Sequence, residues 1–170
     1  GLLSNPLRDR FGIDLRLSFY PPQDLAKIIA RSARLLGYAA TEGAAAALAA
    51  AARGTPRIAN RLLKRARDFA ADAGKNTIDS PVAATALAQL KIDAEGLDEM
   101  DRRYMGAIWR HFAGGPVGIE NLAAILSEPS DTIEDVIEPY LMQKGFVQRT
   151  PRGRILTESG AAHLESSPAN

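Results

Sequence analysis

From Pro21 to Leu90 the apolar residues recur at three- and four-residue intervals, in four runs separated by helix stop and start signals. That period is incompatible with strands and predicts a small four-helix bundle with short connections. Pro21-Pro22 opens the first run, and Leu25, Ile28, Ile29, Ala33 and Leu36 carry it to Gly37. Thr41 is placed to cap a second helix from Glu42 to about Arg53, whose many alanines combine high helix propensity with a thin, close-packing face. Gly54 stops it. Thr55 is placed to cap a third helix with Pro56 in its first position, where a missing N–H is harmless. Ile58, Leu62, Leu63 and Phe69 form the apolar side of that helix, with Arg57, Arg61, Lys64, Arg65 and Arg67 around it. Asp79 or Ser80, followed by Pro81, starts a fourth helix that runs through Leu90.

A second module is expected from about residue 93. A long helix over about 97–113 carries Met100, Tyr104, Ile108 and Phe112 along one stripe, and Gly114-Gly115-Pro116 breaks it. A short helix follows over 118–127. Ser130 or Asp131 then caps another, with Ile133, Val136, Ile137, Tyr140 and Leu141 at core spacing. Two strands, 146–150 and 154–157, flank the turn Pro151-Arg152-Gly153. Three helices and then a hairpin is the order of a winged helix-turn-helix, so the chain reads as mainly α: a helical bundle followed by a winged helix with a small β-hairpin wing. Residues 166–170 read as a frayed tail. At the other end, Leu15, Leu17 and Phe19 alternate with Arg16 and Ser18 like a strand. A lone strand needs partners, so residues 1–20 are expected to be the end of a larger domain and the chain part of a longer protein.

Composition sets the limits on chemistry. With no cysteine, disulfides, thiolate metal sites and a cysteine nucleophile are excluded, and two histidines leave little for a histidine cluster. No apolar run reaches the roughly 18 residues of a membrane span. Phosphate-loop, nucleophile-elbow and His-Glu-x-x-His motifs are absent. Glu99 and Asp101 read as charges favouring a helix start rather than an acid–base pair, and His111 and His163 as structural residues. Lys and Arg number 21 against 20 Asp and Glu, yet residues 1–95 carry 14 basic and 9 acidic side chains while residues 96–170 carry 7 and 11. That asymmetry again divides the chain in two.

Arginine is the informative residue. Arg8 and Arg10 flank Asp9 just ahead of the strand-like segment, and Arg57 enters a helix directly after Gly54-Thr55-Pro56. A helix N-terminus favours anions, and a fixed cation there strengthens a phosphate site. Each of these arginines, taken alone, also fits a solvated, locally paired surface. Lys144, Arg149, Arg152 and Arg154 form a basic cluster in the wing with no acid between Glu138 and Glu158, which predicts phosphate-backbone contact. The helix that would enter a major groove carries Asp131, Glu134, Asp135 and Glu138, which base edges and phosphates repel. Nonspecific grip by the wing is therefore expected, without sequence reading.

Four segments together, residues 6–13 (Pro-Leu-Arg-Asp-Arg-Phe-Gly-Ile), 53–62 (Arg-Gly-Thr-Pro-Arg-Ile-Ala-Asn-Arg-Leu), 114–118 (Gly-Gly-Pro-Val-Gly) and 148–154 (Gln-Arg-Thr-Pro-Arg-Gly-Arg), resemble the RuvB family of Holliday-junction branch-migration AAA+ ATPases, in order and spacing over nearly the whole chain. The resemblance implies residues 1–20 as the end of the large ATPase domain, 21–92 as the AAA+ lid and 93–165 as the winged helix. It implies Arg10 as the arginine finger acting on a neighbouring subunit, with Arg8 as the alternative; Arg57 as the sensor-2 arginine; Tyr20 and Pro56 near the nucleotide base; and Arg149, Arg154 and, less directly, Arg152 on DNA. It further implies ATP with Mg as cofactor, double-stranded DNA at Holliday junctions, RuvA and RuvC as partners, a homohexamer and a cytoplasmic location. The family's Walker motifs, sensor-1 residue and RuvA-docking hairpin would precede this chain, which by itself should not hydrolyse ATP. Ser130 stands where some members carry a further basic residue. A standalone winged-helix transcriptional regulator and a non-catalytic interaction module are the competing readings.

Overall fold

The computed structural model describes residues 18–166, and Arg8, Arg10 and most of the expected strand around Leu15 and Leu17 lie outside them. Four helices follow, α1 (Pro22–Leu35), α2 (Glu42–Ala50), α3 (Pro56–Asp72) and α4 (Ser80–Gln89), around a core of Leu25, Ile29, Leu48, Leu62, Leu63 and Ile78. Alanine lines much of this core, so the helices approach closely. Asp79 caps α4 by accepting from the Val82 N–H at 3.0 Å, and Thr41 caps α2 by accepting from the Ala44 N–H.

Two details differ from the sequence pattern. A parallel pair, β1 (Ala39–Ala40) and β2 (Thr77–Ile78), ties the α1–α2 and α3–α4 connections together; two-residue strands are too short to show a period. The second helix stops at Ala50 rather than Arg53, because Arg53 (φ +52°) and Gly54 (φ +67°) are both left-handed. This tight turn also changes the role of Thr55. It occupies the cap position of α3, but its hydroxyl donates back to the Arg53 carbonyl, so among the described residues the α3 N-terminus has no side-chain cap.

The second module has its own core, with Tyr104, Met105, Ile108, Leu122, Ile133 and Leu141 at its centre. Helix α5 (Glu99–Phe112) begins with a capping box: Asp98 accepts from the Met100 and Asp101 N–H groups, and Asp101 accepts from the Asp98 N–H at 2.9 Å. Helix α6 (Ile119–Leu126) follows. Residues 130–143 then form one helical rod, α7, widened to a π-helix at Ile133–Ile137. The widening precedes Pro139, whose ring would clash with the preceding turn of a regular α-helix. Pro129, not Ser130 or Asp131, holds the cap position of this rod, and Ser130 instead donates to Glu120 at 3.2 Å.

The wing is an antiparallel hairpin, β3 (Val147–Thr150) and β4 (Gly153–Leu156), turning at Pro151-Arg152, with Arg149 opposite Arg154. Val117 bridges to the far edge of β4, exchanging both backbone hydrogen bonds with Arg154 at 2.8 and 3.0 Å. Helix α8 (Glu158–Ser166) closes the described chain, and His163 stacks on Phe146 and bonds Asp93 at 2.9 Å, a structural role.

Gly153 permits the Val117 bridge. Its φ is +130°, and a Cβ there would lie 2.4 Å from the Val117 carbonyl oxygen. Gly153→Ala should therefore lower the unfolding free energy by more than about 1 kcal/mol in urea denaturation. A variant as stable as the parent would show that the bridge does not hold.

Candidate functional site

Two surfaces carry the residues singled out above. The first is the turn at the head of α3. The Tyr20 N–H donates to the Gly54 carbonyl at 2.9 Å, which brings Tyr20 beside Thr55, Pro56 and Arg57 although it lies far from them in sequence. Gly54 is needed for this approach, since a Cβ there would meet the Phe19 Cβ at 2.6 Å. The Tyr20 ring is about half exposed, Pro56 occupies the first position of α3, and Arg57 points to solvent in the second. The first turn of α3 carries no acid and, among the described residues, no side-chain cap, so its N–H groups and the Arg57 guanidinium present positive charge together. An anionic group with an apolar or aromatic neighbour fits these residues. Among the described residues, no cluster of three or more acidic, His or Cys side chains could hold a metal ion.

The second surface is the wing, where the structure corrects the expectation of an unbalanced basic cluster. Arg154 is buried, only 8% exposed. Its Nε donates to Glu138 Oε1 at 2.8 Å, and its Nη2 pairs with Glu134. Arg149, with 43% of its side chain exposed, pairs with the other Glu138 oxygen and lies 3.6 Å from Glu134. Lys144 pairs with Glu95 at 2.6 Å. The acids absent from the wing's own sequence thus arrive from α7 and the loop before α5. Among the described residues, Arg152 at the hairpin tip is the one wing cation with no carboxylate in ion-pair range.

Glu138 organises this surface. It is 0% exposed and accepts from Arg154, Arg149 and the Tyr104 hydroxyl, the last at 2.8 Å. Burial by itself would raise its carboxyl, but the hydrogen bonds from Arg154, Arg149 and Tyr104 hold it below the usual carboxylate range. The same burial, reinforced by the Glu138 charge, pushes the Tyr104 phenol up, so it remains a donor. Two of the four acids that seemed to bar the rod from DNA are therefore counter-ions of the wing. The available signal was the four-residue spacing of Glu134 and Glu138, which puts both on one helix face.

A third constellation went unforeseen. Arg53, from the turn beneath the first surface, donates through Nε to the Gly96 carbonyl at 2.7 Å and pairs with Asp101; Asp98 lies 3.3 Å away. Its guanidinium sits 4.9 Å from the centre of the Tyr140 ring on the α7 rod. Asp101 is therefore a buried ion-pair partner as well as a helix-start charge. Burial pushes its carboxyl up to about 6, with the Asp98 charge adding to that, against the pull of Arg53 and of the Asp98 N–H.

The model of the RuvB AAA lid domain matches residues 20–93, and that of the RuvB C-terminal winged helix domain matches residues 94–165. The chain belongs to the RuvB family. The Holliday junction branch migration complex subunit RuvB of Paramagnetospirillum magneticum is 55% identical over 168 residues, covering 99% of this chain and 48% of that protein. The Thermotoga maritima RuvB Holliday junction branch migration motor superposes with a TM-score of 0.91 at 46% identity, over 98% of this chain and 56% of that one. This chain therefore spans about half the length of these RuvB relatives. The relatives give no support to a standalone transcriptional regulator or an interaction module.

Removing one member of a buried ion pair strands the other. Arg154→Ala should destabilise the winged helix by about 3–5 kcal/mol, whereas Arg152→Ala should stay within about 0.5 kcal/mol of the parent; urea denaturation separates the two. Asp101 gives a pH signature. Because its folded carboxyl holds a proton more tightly than the unfolded one, its ionisation costs stability as pH rises through about 6. Arg53→Ala removes the cation that offsets this cost. Its melting temperature should therefore gain more than the parent's on acidification from about pH 7.5 to about pH 5.5.

Proposed function

We propose that the chain is the lid and DNA-binding portion of a RuvB motor, which moves Holliday junctions by pulling duplex DNA through hexameric rings at the expense of ATP. The observation that carries this reading is the convergence of Tyr20, Pro56 and Arg57 at the head of α3 in a chain whose other module bears an arginine wing. Arg57 would hold nucleotide phosphates, and Tyr20 with Pro56 would border the base. ATP, when bound, supplies free energy by hydrolysis, and its Mg would be held mainly by the ATPase domain. Arg10, with Arg8 as the alternative, would reach a neighbouring subunit's nucleotide as an electrostatic clamp on transition-state charge. RuvA, RuvC, the homohexamer and a cytoplasmic setting go with this reading, and no helix among the described residues is long and apolar enough to cross a membrane.

On DNA, Arg152 and the exposed part of Arg149 would contact phosphates. Arg154 would serve them from below by holding β4 to the α7 rod, a different task from the direct contact expected of it. Such a wing reads no sequence. It holds the backbone through charge, and salt weakens it by counterion competition.

The test is fluorescence-anisotropy binding of this chain to a random duplex, from about 50 to about 200 mM salt. Binding should fall steeply with salt, and Arg152→Ala should lower the magnitude of the log–log slope by about 1 without changing the melting temperature. Arg154→Ala should lose affinity and stability together. Salt-independent binding, strong preference for one sequence, or an Arg152→Ala variant indistinguishable from the parent would contradict the reading.

A further inference from the structure

We propose that Arg53 is the positioning residue that joins the nucleotide-facing turn to the DNA-binding module, so that the head of α3 and the α7 rod move as one body. This rests on the reading above for what the two ends bind, and on the geometry alone for the joint itself.

Arg53 belongs to the lid by its backbone and to the winged helix by its side chain. Its neighbours Ala51 and Ala52 are buried in the first core. Among the described residues, every polar partner of its guanidinium lies in the second module: the Gly96 carbonyl, Asp98 and Asp101. The planar guanidinium bonds at its edge while Tyr140 packs against its face, a combination that an ammonium cannot reproduce.

The backbone on each side is tightly constrained. Arg53 takes a left-handed conformation that only a few residue types adopt readily, and Gly54 continues it. Across the joint, Gly96 passes so close to the lid that a Cβ on it would lie 2.9 Å from the Ala51 carbonyl oxygen. Asp101 is nearly fully buried, so its carboxylate needs the Arg53 charge.

From this point the contacts run in both directions. Toward the lid, the turn that sets Arg53 also presents Pro56 and Arg57 and accepts the Tyr20 N–H. Toward the wing, the Tyr140 hydroxyl donates to the Glu95 carbonyl at 2.7 Å, which ties the α7 rod to the same loop. Two residues before Tyr140, Glu138 holds Arg149 and Arg154 of the hairpin. A displacement of the turn therefore has a continuous packed route to the wing, and Arg53 is where that route crosses between modules.

The chain has no cysteine, so spin labels can be placed cleanly at Ala46→Cys on α2 and Ala162→Cys on α8, both exposed. Electron–electron distance measurements should give a narrow distribution in the parent, a broad one in Arg53→Ala and an intermediate one in Arg53→Lys. Tyr140→Leu leaves the ion pair in place and should also broaden it, which covers the case in which Arg53→Ala fails to fold. An unchanged width in Arg53→Ala or, where that variant does not fold, in Tyr140→Leu overturns the joint, whatever becomes of the motor reading. In the intact ring-forming protein, Arg53→Lys should lower the base pairs moved per ATP hydrolysed. A broadened distribution with an unchanged ratio overturns the positioning role. Failure of the motor reading shows separately, as no ATP-driven DNA movement by the parent protein itself.

Discussion

A carboxylate removed from water must find cations, and two such carboxylates organise this molecule. Glu138, wholly buried under the wing, is satisfied by two arginines and a tyrosine. Asp101, buried at the start of α5, is satisfied by Arg53 and a backbone N–H. Ion pairs of this kind add little net stability over a well-packed apolar contact, because desolvation offsets most of the attraction. What they impose is geometry, since each guanidinium has few positions in which its donors all find partners. Glu138 thereby fixes the hairpin against the α7 rod, and Asp101 fixes the lid turn against the winged helix.

This arrangement changes how the wing's charge should be read. In sequence, Lys144, Arg149, Arg152 and Arg154 form an unopposed basic run. In space, three of the four meet carboxylates, and the tip residue Arg152 remains without one among the described residues. A wing so built offers a small cationic tip on a rigid, nearly neutral base. That suits a transient hold on a regularly spaced phosphate backbone better than tight, sequence-selective binding.

The helical runs from Pro22 to Gln89, the long helix stripe on Tyr104 and Ile108, and the hairpin were legible because each follows from local periodicity and turn chemistry. The β1–β2 pair was not, being two residues long at each strand. The residue type of Thr55 suits a cap, but the left-handed Arg53-Gly54 step before it turns its hydroxyl toward the Arg53 carbonyl. Of the candidate site, Tyr20, Pro56 and Arg57 come together in space, whereas Arg8 and Arg10 lie outside the described residues. Arg154 and Arg53 were the hardest to place. Their partners lie 16 or more residues away, and no local pattern distinguishes a buried arginine from an exposed one.

The division of labour within the wing is the claim most open to direct observation. Nitrogen-15 NMR resolves arginine Nε–H groups individually, and titration with a random duplex reports which of them meet phosphate. The Arg152 and Arg149 signals should shift progressively, while the Arg154 Nε–H, bonded to Glu138, keeps its position and its protection from solvent exchange. A shift confined to Arg154, with Arg152 unmoved, would contradict it.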